Sequence, residues 1–143
     1  MYKSSDGGNT WTQLGGGLPT GVMGRTGLAI SNTNPNKVYA LYMDSLSTPG
    51  ALYKTINGGT SWTPVNIVQL EDACSDFGWY FGKIRTNPVN DEELYFLAVQ
   101  LWRKPATGNG WLNAGSGHAD SHDLIFTPSG RRYWDNDGGV YRN

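Results

Sequence analysis

Cysteine is almost missing from this chain: Cys74 is the only one in 143 residues. No internal disulfide and no thiolate metal cluster can therefore be built. Charge is also scarce, with Asp, Glu, Lys and Arg making up 16% of the residues and a formal net charge of -1. The Lys and Arg are scattered along the chain, which excludes the basic footprint of a nucleic-acid or anionic-membrane binder. No apolar run approaches the ~20 residues of a membrane span, and Met1 to Gly8 has none of the features of a signal peptide. Also missing are a P-loop, a Ser-His-Asp context and a glycine-rich dinucleotide fingerprint. Gly15-Gly16-Gly17 follows a strand but opens no helix.

What the chain has in quantity is glycine, at 20 residues, together with 6 Trp and 8 Tyr. This is the usage of an all-β protein with many tight turns and large aromatic fillers. Internal repetition is the strongest signal. Tyr2-Lys3-Ser4-Ser5-Asp6-Gly7-Gly8-Asn9-Thr10-Trp11-Thr12 recurs as Tyr53-Lys54-Thr55-Ile56-Asn57-Gly58-Gly59-Thr60-Ser61-Trp62-Thr63, 51 residues further on. A worn third copy runs from Trp102-Arg103-Lys104 to Gly108-Asn109-Gly110-Trp111, and a fourth begins over 137–143 and is cut off. An interleaved marker keeps the same period: Asn34-Pro35-Asn36 before Val38-Tyr39, Asn87-Pro88-Val89-Asn90 before Leu94-Tyr95, and Thr127-Pro128-Ser129-Gly130 before Tyr133-Trp134. Each is a turn followed by a strand, because Pro biases its predecessor away from helix and Asn tolerates left-handed geometry.

Between the landmarks the spacing predicts four strands per unit: Arg25 to Ile30, Val38 to Asp44, Ala51 to Thr55 and Trp62 to Val65. Four strands in a repeat of about 50 residues is the signature of a β-propeller blade. The expected architecture is a single domain over 1–143 of antiparallel four-stranded blades, about three in number. Propellers close with about four to eight blades, so this is a partial ring. A partial ring bares sheet edges and flat apolar faces, and the expected partner is a second copy of the chain or the remainder of a longer propeller.

The Ser-x-Asp-Gly-Gly-x-Thr-Trp element resembles the Asp box, or BNR repeat, of sialidases, sortilin-type receptors and several secreted glycosidases. Chemically it is a hairpin in which Asp6 caps backbone N–H groups, Gly7 and Gly8 supply positive φ, and Trp11 packs. Asn57, Gly58, Gly59 and Trp62 repeat those structural parts. The succession Phe77-Gly78-Trp79-Tyr80, Leu101-Trp102-Arg103-Lys104, His118-Ala119-Asp120-Ser121-His122 and Asn136-Asp137-Gly138-Gly139-Val140-Tyr141-Arg142 is similar to that of sortilin-like, glycosyl-hydrolase-like secreted bacterial propeller proteins. The resemblance implies an extracellular or cell-surface location, hairpins on the propeller rim, and no particular reaction.

Among candidate sites, His118, Asp120 and His122 would share one face of an extended strand and could ligate zinc. Asp135, Asn136 and Asp137 put three side-chain oxygens in a row, suited to Ca²⁺, although no EF-hand loop surrounds them. The simpler reading of both is turn-holding hydrogen bonds, without a cofactor. A glycoside hydrolase needs two facing carboxylates, and Asp76, beside the aromatic run, and Asp120 are the pair to test. A sialidase's arginine cluster and nucleophilic Tyr cannot be assigned. The leading expectation is a non-catalytic module whose Trp79, Tyr80 and Trp102 meet a glycan or a protein. Trp11, Trp62 and Trp111 recur at the repeat period and are expected to pack between blades. A glycosidase-type fragment and a self-assembling structural ring or fibre are the alternatives.

Overall fold

The computed structural model describes residues 1–21, 23–115 and 117–143. Thirteen strands follow one another: β1 (Tyr2–Lys3), β2 (Thr12–Gln13), β3 (Thr26–Ile30), β4 (Val38–Met43), β5 (Pro49–Thr55), β6 (Thr63–Val65), β7 (Lys83–Thr86), β8 (Leu94–Leu97), β9 (Leu101–Lys104), β10 (Leu112–Asn113), β11 (Asp123–Phe126), β12 (Arg132–Asn136) and β13 (Gly139–Arg142). The only helical piece among the described residues is a 3-10 turn at Val68–Leu70. Every pairing is antiparallel between sequence neighbours, giving sheets β3-β4-β5-β6 and β7-β8-β9-β10, flanked by the hairpin β1-β2 and the three-stranded β11-β12-β13. Two complete blades thus stand between two incomplete ones. The expected strands are all present, with ends shifted by one or two residues.

Alternation along each central strand sends one set of side chains to the preceding sheet and the other to the following one. In β4, Ala40 and Tyr42 point back towards β1-β2, where Leu14 and Leu18 meet them and Trp62, while Tyr39, Leu41 and Met43 point forward into a core shared with Ile84, Leu94 and Phe96. In β8, Tyr95 and Leu97 point forward onto Leu124 and Trp134. The core is therefore a stack of interfaces between sheets, and each sheet is buried on both faces only where it has two neighbours. The first strands lie side by side: the Thr86 hydroxyl donates to the Ile30 carbonyl at 3.0 Å.

Polar clasps accompany these apolar interfaces. Buried Lys37 reaches Asp91 at 2.6 Å and Glu92 at 2.5 Å. Burial alone would lower its pKa, but the hydrogen bonds and charges of the two carboxylates raise it on balance. The Tyr39 hydroxyl donates to the Asp91 carbonyl at 2.9 Å. One blade on, Tyr95 repeats the device, accepting from Arg132 at 3.0 Å while donating to Glu93 at 2.5 Å. Burial, aided by Glu93, pushes the Tyr95 phenol up to about 12.

The repeated hairpins share one hydrogen-bond set. Asp6 accepts from the Thr10 amide at 2.9 Å and the Thr10 hydroxyl at 2.6 Å, and the Gly8 amide donates to Ser4 Oγ at 2.8 Å. Asn57 accepts from the Ser61 amide at 3.0 Å and the Gly59 amide donates to Thr55 Oγ1 at 3.0 Å. Gly8 and Gly59 sit at φ +94 and +93, where an L side chain is strained. The bonds from Thr10, with Ser4 behind them, draw the Asp6 carboxyl down to about 2. The tryptophans, in contrast, diverge. Trp62 and Trp111 are buried, but Trp11 is 62% exposed. Trp62 is covered by Leu14, and Trp111 donates to the Asn66 carbonyl at 2.8 Å, so each cover comes from the segment after the previous hairpin. Among the described residues nothing covers Trp11 in this way.

Candidate functional site

The segments that lead into β7 and β11 each dock on the central hairpin of the sheet before them. The Gly78 amide donates to the Ser47 carbonyl at 2.9 Å, between β4 and β5. A Cβ at Gly78 would lie 2.0 Å from that oxygen, so only glycine fits. The Asp120 and Ser121 amides donate to the Val99 and Ala98 carbonyls at 2.8 and 3.0 Å, between β8 and β9. Arg25 reaches across from the entry to β3 and donates to the Trp79 and Tyr80 carbonyls at 3.2 and 2.7 Å. The aromatic loop is thereby held by its backbone, which leaves its side chains outside.

Between the two segments lies a cleft of about 400 Å³, lined by Ser75, Phe77, Trp79, Tyr80, Phe81, Val99, Asp120, His122 and Asp137. Trp79 and Tyr80 are 63% and 48% exposed and meet edge to face with ring centroids 5.8 Å apart. Tyr80 likewise meets His122 edge to face, at 6.0 Å. His122 Nε2 stands 2.6 Å from Asp137 Oδ1, and Nδ1 stands 3.4 Å from the Tyr80 hydroxyl. A carboxylate only accepts, so Nε2 carries a proton and donates to Asp137. Nδ1 of the neutral ring is then the acceptor for the Tyr80 hydroxyl. Lys83 Nζ donates to the His122 carbonyl at 2.5 Å and steadies the same residue from below.

Several sequence expectations need correction here. His118, Asp120 and His122 do not share a strand face: Asp120 has φ +66, which breaks the alternation, and β11 starts only at Asp123. His118 is exposed with Nδ1 3.3 Å from the Ala119 carbonyl, and His122 is paired with Asp137. Among the described residues, no group of three or more His, Cys, Asp or Glu is placed to hold a metal ion. Asp135, Asn136 and Asp137 diverge as well. Asp135 faces forward beside Ile125, buried Asn136 accepts from the Gly138 amide at 2.9 Å, and Asp137 turns to His122.

The carboxylate pair is also different. Asp76 is exposed at φ +66 and flanks the cleft without lining it, while Asp137 joins Asp120 inside. In the sequence Asp137 reads as a turn residue or a Ca²⁺ ligand, because its approach to His122 depends on the pairing of β11 with β12. Trp102 does not line this cleft: it is half-buried against the core shared by the two complete sheets, opposite Phe96. Trp79 and Tyr80 do line the cleft.

No protein-family model and no curated protein matches the chain. Solved structures do match. A GH74 enzyme from Niastella koreensis superposes with a TM-score of 0.61 at 18% identity, covering 82% of this chain and 20% of that one. The GH74 xyloglucanase from Xanthomonas campestris gives 0.52 at 16% identity, covering 91% and 22%. YCF48 from Cyanidioschyzon merolae gives 0.47 at 18%, covering 88% and 40%. The fold is part of a β-propeller. The chain spans about a fifth of the length of the two GH74 proteins, and identities this low carry the fold and no residue roles.

Proposed function

We propose that this chain is the ligand-bearing part of a secreted or cell-surface propeller module that binds a glycan in the Trp79–Tyr80 cleft. The observation that carries the reading is the exposed aromatic pair facing Asp120, His122 and Asp137 across one cleft. Aromatic faces stack on the C–H faces of sugars, and carboxylate and imidazole groups accept or donate to their hydroxyls, a pairing suited to neutral saccharides. The resemblance of the hairpins to Asp boxes and of the second half to sortilin-like propellers supports an extracellular setting. Xyloglucan is the first probe to try, since one structural neighbour is named a xyloglucanase.

The test is calorimetric titration of the chain with xyloglucan oligosaccharides, followed by a neutral glycan array. Binding that falls at least tenfold in Trp79→Ala and Tyr80→Ala supports the reading. No binding to any neutral glycan overturns it.

A second reading, glycoside hydrolysis, is favoured by one observation: two carboxylates, Asp120 and Asp137, line the same cleft. Release of reducing sugar that is lost in Asp120→Asn or Asp137→Asn would select it over simple binding.

We also propose that the flat end faces are covered by further blades, from a second copy or from the rest of a longer chain. Leu28 and Ile30 on the back of β3 are 54% and 55% exposed, whereas Ile84 of β7 and Leu124 of β11 are buried.

A further inference from the structure

We propose that the rim between the two complete sheets carries a binding site for an oxyanion, such as the carboxylate of a uronic acid or a free sulfate, separate from the aromatic cleft. The worn third hairpin is what creates it. In the first two hairpins a Ser or Thr hydroxyl holds the turn amide, an Asp or Asn caps the turn, and the tryptophan Nε1 donates to a turn carbonyl: Trp11 to Gly8 at 2.9 Å and Trp62 to Gly59 at 3.2 Å. In the third copy Lys104 stands where Ser4 and Thr55 stand, and Ala106 stands where Asp6 and Asn57 stand. Trp111 turns its Nε1 to Asn66 of the preceding sheet, and Lys104 Nζ takes the vacated Gly108 carbonyl at 3.3 Å. One hairpin has thus exchanged a carboxylate or amide cap for a cation.

The space this opens is a polar cleft of about 510 Å³, lined among others by Lys54, Thr63, Asn66, Glu92, Lys104 and Asn109. It shares no lining residue with the aromatic cleft. Among the described residues no carboxylate lies within ion-pairing distance of Lys104, whose Nζ donates to the Pro105 and Gly108 carbonyls at 3.5 and 3.3 Å. Lys54 reaches Glu92 at 3.4 Å, but Glu92 is already bound by Lys37 at 2.5 Å. Lys37, Lys54 and Lys104 thus outnumber the carboxylates Asp91 and Glu92, and Lys104, which has no ion pair among the described residues, lines the cleft with Lys54. An oxyanion placed between Lys54 and Lys104 would neutralise the surplus charge, with the amide groups of Asn66 and Asn109 at the cleft wall as neutral donors.

The experiment is an amide NMR titration of the 143-residue chain at constant ionic strength, with glucuronate, sulfate and glucose as separate probes. Saturable shifts at Ala106, Gly108 and Asn109 with glucuronate or sulfate, and none with glucose, are expected. Lys104→Gln should weaken the response at least tenfold, Lys54→Gln should weaken it too, and Lys104→Arg should keep it. A response to glucuronate alone identifies an acidic saccharide, and an equal response to sulfate identifies a general oxyanion site. Linear, non-saturating shifts, or the same saturation in a folded Lys104→Gln protein, would overturn the proposal. Loss of xyloglucan binding at the aromatic cleft would leave it untouched.

Discussion

The imidazole of His122 and the carboxylate of Asp137 meet at 2.6 Å across two different chain segments, the entry to β11 and the turn between β12 and β13. That contact ties the wall bearing Asp120 to the turn opposite it, and through Tyr80 to the aromatic loop. Its removal should loosen the cleft without unfolding the sheets, since the paired strands beneath it are unaffected. His122→Ala is expected to lower glycan affinity about tenfold and to speed hydrogen exchange at residues 117–122, while amides in β8 and β12 keep their protection. Unchanged exchange at 117–122 would mean that the docking of Asp120 and Ser121 on β8-β9 suffices alone.

Acid should attack the joints between blades first. Desolvation would raise the pKa values of Asp91, Glu92 and Glu93, but their hydrogen bonds and charges, to Lys37 and Ser31, to Lys37 and Lys54, and to Arg103 and Tyr95, lower all three on balance. A carboxyl with a lowered folded-state pKa stabilises the fold above its unfolded value, here about 4 to 4.5. That contribution disappears as the pH falls through the folded-state values. Melting temperature should accordingly be flat from pH 7 to about 5 and fall steeply below about 4. Asp91→Ala leaves the buried Lys37 ammonium with Glu92 as its one carboxylate partner and should cost about 1.5 to 3 kcal/mol at neutral pH, or roughly 5 to 10 °C in Tm. A melting curve for Asp91→Ala within 2 °C of the parent, on the order of measurement error for such a change, would show that Glu92 alone satisfies Lys37.

The near-identical hairpins should respond very differently to the same substitution. Trp62→Ala empties a buried site beneath Leu14 and is expected to cost about 3 to 5 kcal/mol in urea unfolding. Trp11→Ala removes an exposed ring and should cost less than about 1 kcal/mol. Equal losses would indicate that Trp11 is covered in solution.

This contrast marks how far the sequence reached. The strand count, the antiparallel order and the glycine conformations at Gly8 and Gly59 were all legible, because they follow from local spacing and turn chemistry. The exposure of Trp11 was not, since the cover of each tryptophan depends on a neighbour one repeat away. The cleft was half legible: Trp79 and Tyr80 stand out because they do not recur. Of its two carboxylates Asp120 is a sequence candidate, whereas the place of Asp137 beside His122 follows only from the pairing of β11 with β12. The separation of Trp102 from that cleft has a related cause: which face of β9 it occupies is distinguishable only once the pairing of β9 with β8 is known.

The tyrosine at the start of each second strand leads to a prediction about assembly. Tyr39 bonds the following sheet through Asp91, and Tyr95 does so through Arg132. Tyr133 occupies the equivalent place in β12 and shares the forward face with exposed Ile125 and Val140, and no bond from its hydroxyl is present among the described residues. At the other end Leu28 and Ile30 are bare while β1-β2 covers only the outer half of that face. Apolar faces of this kind are buried at every internal joint of the same chain, so the isolated 143-residue protein should associate through them. Light scattering on a sizing column is expected to give a mass above the 15.6 kDa of one chain. Ile125→Lys with Val140→Lys should return it towards one chain. Arg131→Ser, an exposed change off the face, should not. A well-folded monomer for the parent would mean that the bare faces need the remainder of a longer propeller and cannot satisfy one another.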